Sequence, residues 1–170
     1  VVGDIAGNLA RIRAVRDQAP ASTDLIVYPE LALCGYPTED LVLKPAFQRD
    51  VRAAVETLVR ESAGTAIHLA ISCPWKDGEH LYNAPHLIGE GKIKGTVHKH
   101  HLPNYGVFDE KRLFKSGTPA SPLTLKGHKI GLLICEDFWF PDVAGKLVKE
   151  GAEMLIVSNA SPYAAGKHEM

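Results

Sequence analysis

Long apolar runs are missing from this sequence. No segment approaches the ~20 consecutive apolar residues that a membrane-spanning helix needs. The first residues, V-V-G-D-I-A-G-N, have neither the basic start nor the apolar centre of a signal peptide. The sequence therefore indicates neither membrane insertion nor export, and we expect no membrane partner.

An excess of one charge sign is also absent. The chain has 19 basic and 20 acidic residues and a formal net charge of -1. This balance gives no general attraction to nucleic acid or to an anionic membrane surface. We therefore expect the partner to be a small molecule or another protein, and not a nucleic acid.

Cysteine is scarce, and its spacing excludes two classes of protein. The three cysteines are Cys34, Cys73 and Cys135, and none is part of a C-x-x-C pair. Neither a disulfide framework nor a cysteine-based zinc site is indicated, which favours a reducing, cytoplasmic setting. With 170 residues, 45% of them hydrophobic, the chain can bury one sizeable core, so we expect one domain or part of one.

The apolar periodicity predicts alternating strands and helices. Helices are predicted from an Asn8 cap to Pro20, along the apolar stripe that runs from Phe47 to Val59, and over 143–150. The segment 24–28 is predicted to be a strand buried on both faces. Further strands are predicted at 65–72, 81–88, 92–98, 121–125, 129–135 and 154–158, with hairpins at G-E-G and K-G-H. This order is typical of an α/β fold with a mixed sheet.

Three chemically reactive side chains follow predicted strands. Glu30 follows D-L-I-V-Y-P, Lys99 follows K-I-K-G-T-V-H, and Cys135 ends K-I-G-L-L-I-C. Ligands of open α/β sheets collect outside the carboxyl ends of strands, so these side chains are expected to lie near one another. A carboxylate, an ammonium and a thiol are the groups needed to attack an amide through a thioester.

The two acidic residues that follow Cys135 make it harder for its thiol to lose a proton. The thiolate is the nucleophile, and the carboxylates of Glu136 and Asp137 disfavour a second negative charge beside them. Glu30 is therefore predicted to act as general base and Lys99 as the cation that stabilises the transition state. A sharp turn at Cys135 would also direct the backbone N–H of Glu136 at an oxyanion, with both acidic side chains turned into supporting hydrogen bonds.

Less specific interpretations remain open for several of these residues. A cysteine after an apolar run is more often a core residue than a nucleophile, and we assign Cys34 and Cys73 to the core. The segment H-K-H-H, with His98, His100 and His101, is a rival metal site, but no acidic or cysteine partner lies at a fixed local spacing. We therefore predict no metal site. Aromatic residues such as Tyr105 and Trp139 could equally be core residues.

Three motifs carry a family resemblance: Y-P-E-L-A-L-C-G-Y-P, H-K-H-H-L-P-N-Y-G-V-F-D-E-K-R and L-L-I-C-E-D-F-W-F-P-D. Together they resemble the nitrilase (carbon-nitrogen hydrolase) superfamily, and more narrowly the glutaminase domain of glutamine-dependent NAD+ synthetase. The resemblance covers residues 2–163. It implies an α-β-β-α sandwich with mixed sheets.

The resemblance also implies a reaction and a partner. Cys135 would attack the side-chain amide of glutamine, and the ammonia would pass to a C-terminal synthetase domain that uses ATP and Mg²⁺ to convert deamido-NAD+ to NAD+. The glutaminase domain itself would need no cofactor, and the protein would be a homo-oligomer. Beyond the three reactive residues, Glu110 would be a supporting catalytic residue, and the substrate-binding candidates are Tyr105, Trp139, Ser161 and Lys167.

The extent of the sequence differs from the family pattern. Members of the family begin with a further strand, continue well beyond S-P-Y and then carry the synthetase domain. Residues 1–170 are therefore expected to form a partial glutaminase domain, incomplete at both ends. A stand-alone amidase or carbamoylase and a non-catalytic assembly module are the alternative interpretations.

Overall fold

Two mixed β-sheets form the centre of the fold. A computed structural model describes residues 1–162. In these residues the first sheet has the order β1-β2-β3-β4 and the second the order β5-β6-β7. The strands are β1 Leu25–Val27, β2 His68–Asp77, β3 His80–Gly89, β4 Lys92–Thr96, β5 Leu123–Leu125, β6 His128–Ile134 and β7 Met154–Ser158.

Three helices cover the outer faces of the two sheets: α1 Ile5–Gln18 and α2 Pro45–Ser62 on the first, and α4 Pro141–Lys149 on the second. The single turn α3 Glu110–Leu113 packs against the 3₁₀ turn Glu39–Leu43. One core lies between the first sheet and helices α1 and α2. A second core lies between the two sheets, and a third joins α4 to the second sheet. The predicted α-β-β-α sandwich is therefore confirmed.

Strand directions bring the carboxyl ends of three strands to one side of the sandwich. Strand β1 is parallel to β2, and β2-β3 and β3-β4 are antiparallel, so β1 and β4 run in the same direction. In the second sheet β6 is parallel to β7. The loops that follow β1, β4 and β6 are those that carry Glu30, Lys99 and Cys135.

Both predicted hairpins are confirmed, and each has a two-residue turn. Glu90 and Gly91 have φ angles of 55° and 73°, and Lys126 and Gly127 have φ angles of 47° and 90°. Two consecutive left-handed residues are typical of the turn that matches the twist of antiparallel strands, and glycine takes up one of these positions without steric cost. The glycine turns therefore set the register of β3-β4 and of β5-β6.

The predicted cap of the first helix and the predicted burial of the first strand were wrong. Helix α1 begins at Ile5, because the Asp4 carboxylate accepts a hydrogen bond from Gly7 N at 2.9 Å and caps it. The predicted cap Asn8 is instead buried inside the helix, where it donates to the carbonyl of Leu33. Strand β1 is only partly buried, and Val27 is 40% exposed, because β1 lies at the edge of the described sheet.

Within residues 1–162 the structure has no helix that is both long and apolar enough to cross a lipid bilayer.

Candidate active site

Cys135 lies at a strained turn directly after β6. The strand ends at Ile134, one residue earlier than predicted, and a 3₁₀ turn runs from Cys135 to Phe138. Cys135 has a φ of 42°, in the left-handed region, which costs a residue with a side chain roughly 1–2 kcal/mol. The surrounding structure must hold this turn in place, as is common for functional residues.

Asp137 provides one such restraint. Its carboxylate is almost fully buried and accepts hydrogen bonds from the backbone N–H groups of His100 (3.1 Å), His101 (2.8 Å) and Ile134 (3.3 Å). Burial raises the pKa of Asp137, and these N–H groups oppose that rise. Asp137 therefore ties the Cys135 turn to the segment that follows Lys99.

Substitution of Asp137 by Asn is expected to destabilise the fold by about 3 kcal/mol. The amide has nearly the same shape, but it has one oxygen in place of two, and its NH₂ group would face a backbone donor. The midpoint of urea unfolding measures the change. Glu136→Gln is the matched control, since the Glu136 carboxylate bonds only to the exposed Tyr105 hydroxyl (2.9 Å) among the hydrogen bonds of the described chain. Similar small changes in both variants would contradict the assigned role.

Glu30 lies in a tight turn after β1 and is buried. Its Oε1 accepts hydrogen bonds from Lys99 Nζ at 2.7 Å and from Asn83 Nδ2 at 2.8 Å. Leu31, the next residue, has a φ of 51°, so the chain reverses direction immediately after Glu30. The turn directs the carboxylate inward, and the two donors fix its orientation.

Lys99 is fully buried between two carboxylates. Its ammonium donates to Glu30 Oε1 and, at 2.8 Å, to Glu110 Oε1. Burial lowers the pKa of Lys99, but the two carboxylates outweigh it, and the net shift is upward. Lys99 therefore stays protonated, and two of its three N–H groups are used by the carboxylates.

Glu110 begins α3 and completes this charge cluster. Its Oε1 also accepts from the hydroxyl of Tyr36 at 3.0 Å, whereas its buried Oε2 has no hydrogen-bond partner within residues 1–162. Burial raises the pKa of Glu110 to about 7, with Lys99 opposing the rise and Glu30 adding to it. The cluster thus holds one cation and two carboxyl groups, and Glu110 takes up a proton near neutral pH.

The raised pKa of Glu110 predicts a pH-dependent stability. The folded protein keeps a proton that the unfolded chain releases near pH 4.5, so the stabilisation is complete below that pH and is lost as the pH rises through about 7. Between pH 5 and pH 8 the wild type should lose as much as about 3 kcal/mol relative to Glu110→Gln, which cannot ionise. Urea unfolding across this range measures the difference.

Glu150→Gln is the control for that series. Glu150 is exposed, and its hydrogen bond from Lys146 lowers its pKa, so it titrates below the tested range. Its difference from the wild type should be flat between pH 5 and pH 8. Parallel curves for the wild type and Glu110→Gln would show that Glu110 takes up no proton on folding.

The sulfur of Cys135 meets this cluster. Its side chain hydrogen-bonds the Glu30 carboxylate, and the backbone N–H of Ala160 donates to the sulfur. Burial and the charge of Glu30 raise the pKa of Cys135 to about 11, and Lys99 acts in the opposite direction. Cys135 is thus a neutral thiol at pH 7, already in contact with a carboxylate that can take its proton.

The substrate-binding candidates lie in different surroundings. Tyr105 lines an open cavity of about 690 Å³ beside the Cys135 turn, together with Glu136, His100 and His101. Trp139 follows the turn and is 71% exposed. Ser161 lies after β7, in an exposed segment, and Lys167 lies outside the described residues. Their assignment to substrate binding therefore stays a prediction.

Sequence reasoning missed residues that support the cluster. Asn83, in β3, orients Glu30 and itself accepts a hydrogen bond from Ser72 Oγ at 2.9 Å. Tyr36 supports Glu110 in the same way. A polar Asn within the apolar run of a buried strand was the available signal, because buried polar groups need partners. Cys34 and Cys73 are fully buried core residues, as predicted, and burial raises the pKa of each.

Comparison with known proteins gives a consistent result. The family model described as carbon-nitrogen hydrolase matches residues 1–169. The chain is 44% identical over 171 residues to glutamine-dependent NAD(+) synthetase of Rhodobacter capsulatus, and 39% identical over 168 residues to that of Aquifex aeolicus. The alignments cover 99% and 98% of this chain, but only 31% and 30% of the two relatives.

Among solved structures, glutamine-dependent NAD+ synthetase of Acinetobacter baumannii superposes with a TM-score of 0.87 and 34% identity. The match covers 99% of this chain and 32% of that one. The resemblance stated from the three motifs is thus confirmed: the chain belongs to the carbon-nitrogen hydrolase (nitrilase) family.

Proposed function

We propose that this domain hydrolyses the side-chain amide of glutamine and supplies the ammonia for glutamine-dependent NAD+ synthesis. One observation carries the proposal: Glu30, Lys99 and Cys135, which are far apart in the sequence, form a single buried hydrogen-bonded cluster. The similarity to glutamine-dependent NAD+ synthetases supports the choice of glutamine as substrate.

In the first half of the reaction, Glu30 takes the proton of Cys135 as the sulfur attacks the amide carbon. The carbonyl oxygen becomes an oxyanion, which the third N–H of the Lys99 ammonium and the backbone N–H of Glu136 would stabilise. Glu30 then returns the proton to the amide nitrogen. The C–N bond breaks, ammonia leaves, and the glutamyl group stays on Cys135 as a thioester.

In the second half, Glu30 takes a proton from water, which attacks the thioester carbonyl. The C–S bond breaks, Glu30 gives the proton to the sulfur, glutamate leaves and the thiol is restored. The buried Lys99 keeps Glu30 in one position through both halves, since the distance between Nζ and Oε1 is 2.7 Å. Glu110 would act by accepting a second hydrogen bond from Lys99 and so fixing the position of the ammonium.

The partner proposed for this domain is a synthetase domain that binds ATP and Mg²⁺ and uses the ammonia to convert deamido-NAD+ to NAD+. The relatives are about three times as long as the part that matches this chain, which leaves room for such a domain in them. This function would place the protein in the cytoplasm, where the three free cysteines stay reduced. The homo-oligomer implied by the resemblance stays a prediction.

The test uses the full-length protein that carries this domain. Supplied with glutamine, deamido-NAD+ and ATP, it should form NAD+, and the Cys135→Ala variant should lose this activity. When ammonium salts replace glutamine, the variant should form NAD+ as the wild type does. Hydrolysis of some other amide without NAD+ formation would instead favour the stand-alone amidase or carbamoylase, and no amide hydrolysis would favour the assembly module.

A further inference from the structure

Two adjacent histidines and one aspartate converge beside the proposed active site. His100 and His101 follow Lys99, and Asp142 lies in the first turn of α4. One nitrogen or oxygen atom from each of the three lies within 4.8 Å of the others. The sequence offered no acidic partner near the histidines; the fold supplies one from 41 residues further along the chain.

The hydrogen bonding of His100 fixes which of its nitrogens is free. Its Nδ1 lies 2.6 Å from the carbonyl oxygen of Gly117. A carbonyl can only accept, so Nδ1 carries a proton, and in the neutral ring Nε2 has a lone pair. Metal-binding histidines are oriented in this way, with the second ring nitrogen donating to a carbonyl or carboxylate.

The free nitrogen of His100 faces a second acceptor. Nε2 lies 3.6 Å from Asp142 Oδ2. This distance is too long for a direct hydrogen bond, and a metal ion or a water molecule can bridge the two atoms. In a tetrahedral zinc site with bonds of about 2.0–2.1 Å, neighbouring ligand atoms are about 3.3 Å apart, so the spacing fits a shared ion.

His101 and Asp142 are held in position by further contacts. His101 Nε2 lies 2.8 Å and 3.0 Å from the two Asp142 oxygens, and its ring packs on Phe140 at a centroid distance of 4.3 Å. Asp142 Oδ1 also accepts from Val143 N at 2.8 Å. The backbone N–H groups of both histidines are fixed by Asp137. These contacts hold the three side chains close together, and a bound ion would replace the hydrogen bond between His101 Nε2 and Asp142.

We propose that His100, His101 and Asp142 bind one divalent transition-metal ion of the zinc class. Two imidazole nitrogens and one carboxylate oxygen are ligands that Zn²⁺, Co²⁺ and Ni²⁺ accept. Since both histidines line the open cavity, water can complete the coordination. The bound ion would link the segment that follows Lys99 to the first turn of α4. Because both segments lie next to the Cys135 turn, this link would stabilise the turn.

The test is titration of the untagged full-length protein with Co²⁺ alone, followed by visible absorption and by calorimetry. The wild type should bind one ion that gives the d–d bands of tetrahedral nitrogen and oxygen coordination, with no sulfur-to-metal band. Asp142→Asn and His101→Gln should each bind at least about tenfold more weakly. In the wild type the ion should raise the thermal midpoint; in the variants it should not.

Two controls separate this cluster from other ligands. His98→Gln should bind Co²⁺ as the wild type does, because His98 stacks on Tyr82 at 3.9 Å and lies near Asp77, away from the cluster. Cys135→Ala should also bind normally, since the thiol is not a ligand. Two results would overturn the proposal. The first is a wild type that gives no tetrahedral Co²⁺ spectrum, which would mean that the histidines and Asp142 form only an ion pair. The second is Co²⁺ binding that survives in Asp142→Asn and in His101→Gln but is lost in Cys135→Ala.

Discussion

Replacement of the proposed nucleophile Cys135 by alanine is expected to reduce glutamine hydrolysis by at least about 10⁴-fold, as loss of the nucleophile does in other enzymes. The reason is chemical: without the sulfur no thioester can form, and what is left is direct attack by water. Cys135→Ser should be nearly as inactive, because a hydroxyl in the same place is far harder to deprotonate than the thiol. Ammonia release from glutamine measures the loss.

Cys73→Ala is the matched control for the nucleophile. Cys73 is fully buried in the core between the first sheet and its helices, away from the charge cluster. Its replacement removes apolar contacts and should lower stability by about 1 kcal/mol, while the rate at a temperature where the protein is folded should change little. Glutamine hydrolysis by Cys135→Ala within tenfold of the wild type would contradict the assignment.

Replacement of Lys99 by methionine is expected to have the second-largest effect. It removes the buried cation while keeping most of the volume, and it leaves the carboxyl groups of Glu30 and Glu110 without their shared partner. Removing one partner of a buried ion pair lowers the free energy of unfolding by about 3–5 kcal/mol. Activity should fall by about 10³-fold, since both the orientation of Glu30 and the stabilisation of the oxyanion are lost.

A double variant separates the two roles of Lys99. In Lys99→Met/Glu110→Gln one of the uncompensated carboxyl groups becomes a neutral amide, so the midpoint of urea unfolding should recover in part. Glutamine hydrolysis should not recover, because the ammonium beside the sulfur is still absent. Recovery of the rate together with the stability would show that Lys99 acts only as a structural counter-ion.

The large elements of the fold could be predicted from the sequence because their signals are local. The apolar stripe of α2 and the glycine turns of both hairpins are set by residues within a few positions of one another. The first helix cap was misplaced for the same reason: Asp4 and Asn8 are both good capping residues. The choice depended on Asn8 reaching the carbonyl of Leu33, 25 residues away.

The convergence of the three reactive residues could be expected, but its details could not. Lys99 and Glu30 are 69 residues apart, and only the parallel directions of β1 and β4 place their loops together. The left-handed φ of Cys135 has no sequence signal, since glycine is the residue that usually marks such a position.

The directions of the two acidic side chains after Cys135 also could not be predicted from the sequence. The carboxylate of Asp137 binds three backbone N–H groups, and that of Glu136 binds the hydroxyl of Tyr105. The sequence raised the question of how a thiol tolerates two negative neighbours. The structure answers it: both side chains turn away into hydrogen bonds, and the charge that acts on the sulfur comes from other parts of the chain.

Glu30 and Lys99 are proposed to activate one thiol among three, and labelling with a glutamine-like electrophile tests this activation most directly. A diazoketone analogue of glutamine is incubated with the protein, and peptide mass spectrometry locates and times the modification. We predict one label, on Cys135, that glutamine blocks and that forms far more slowly in Glu30→Gln. Equal slow labelling of Cys34, Cys73 and Cys135, or an unchanged rate in Glu30→Gln, would contradict the account.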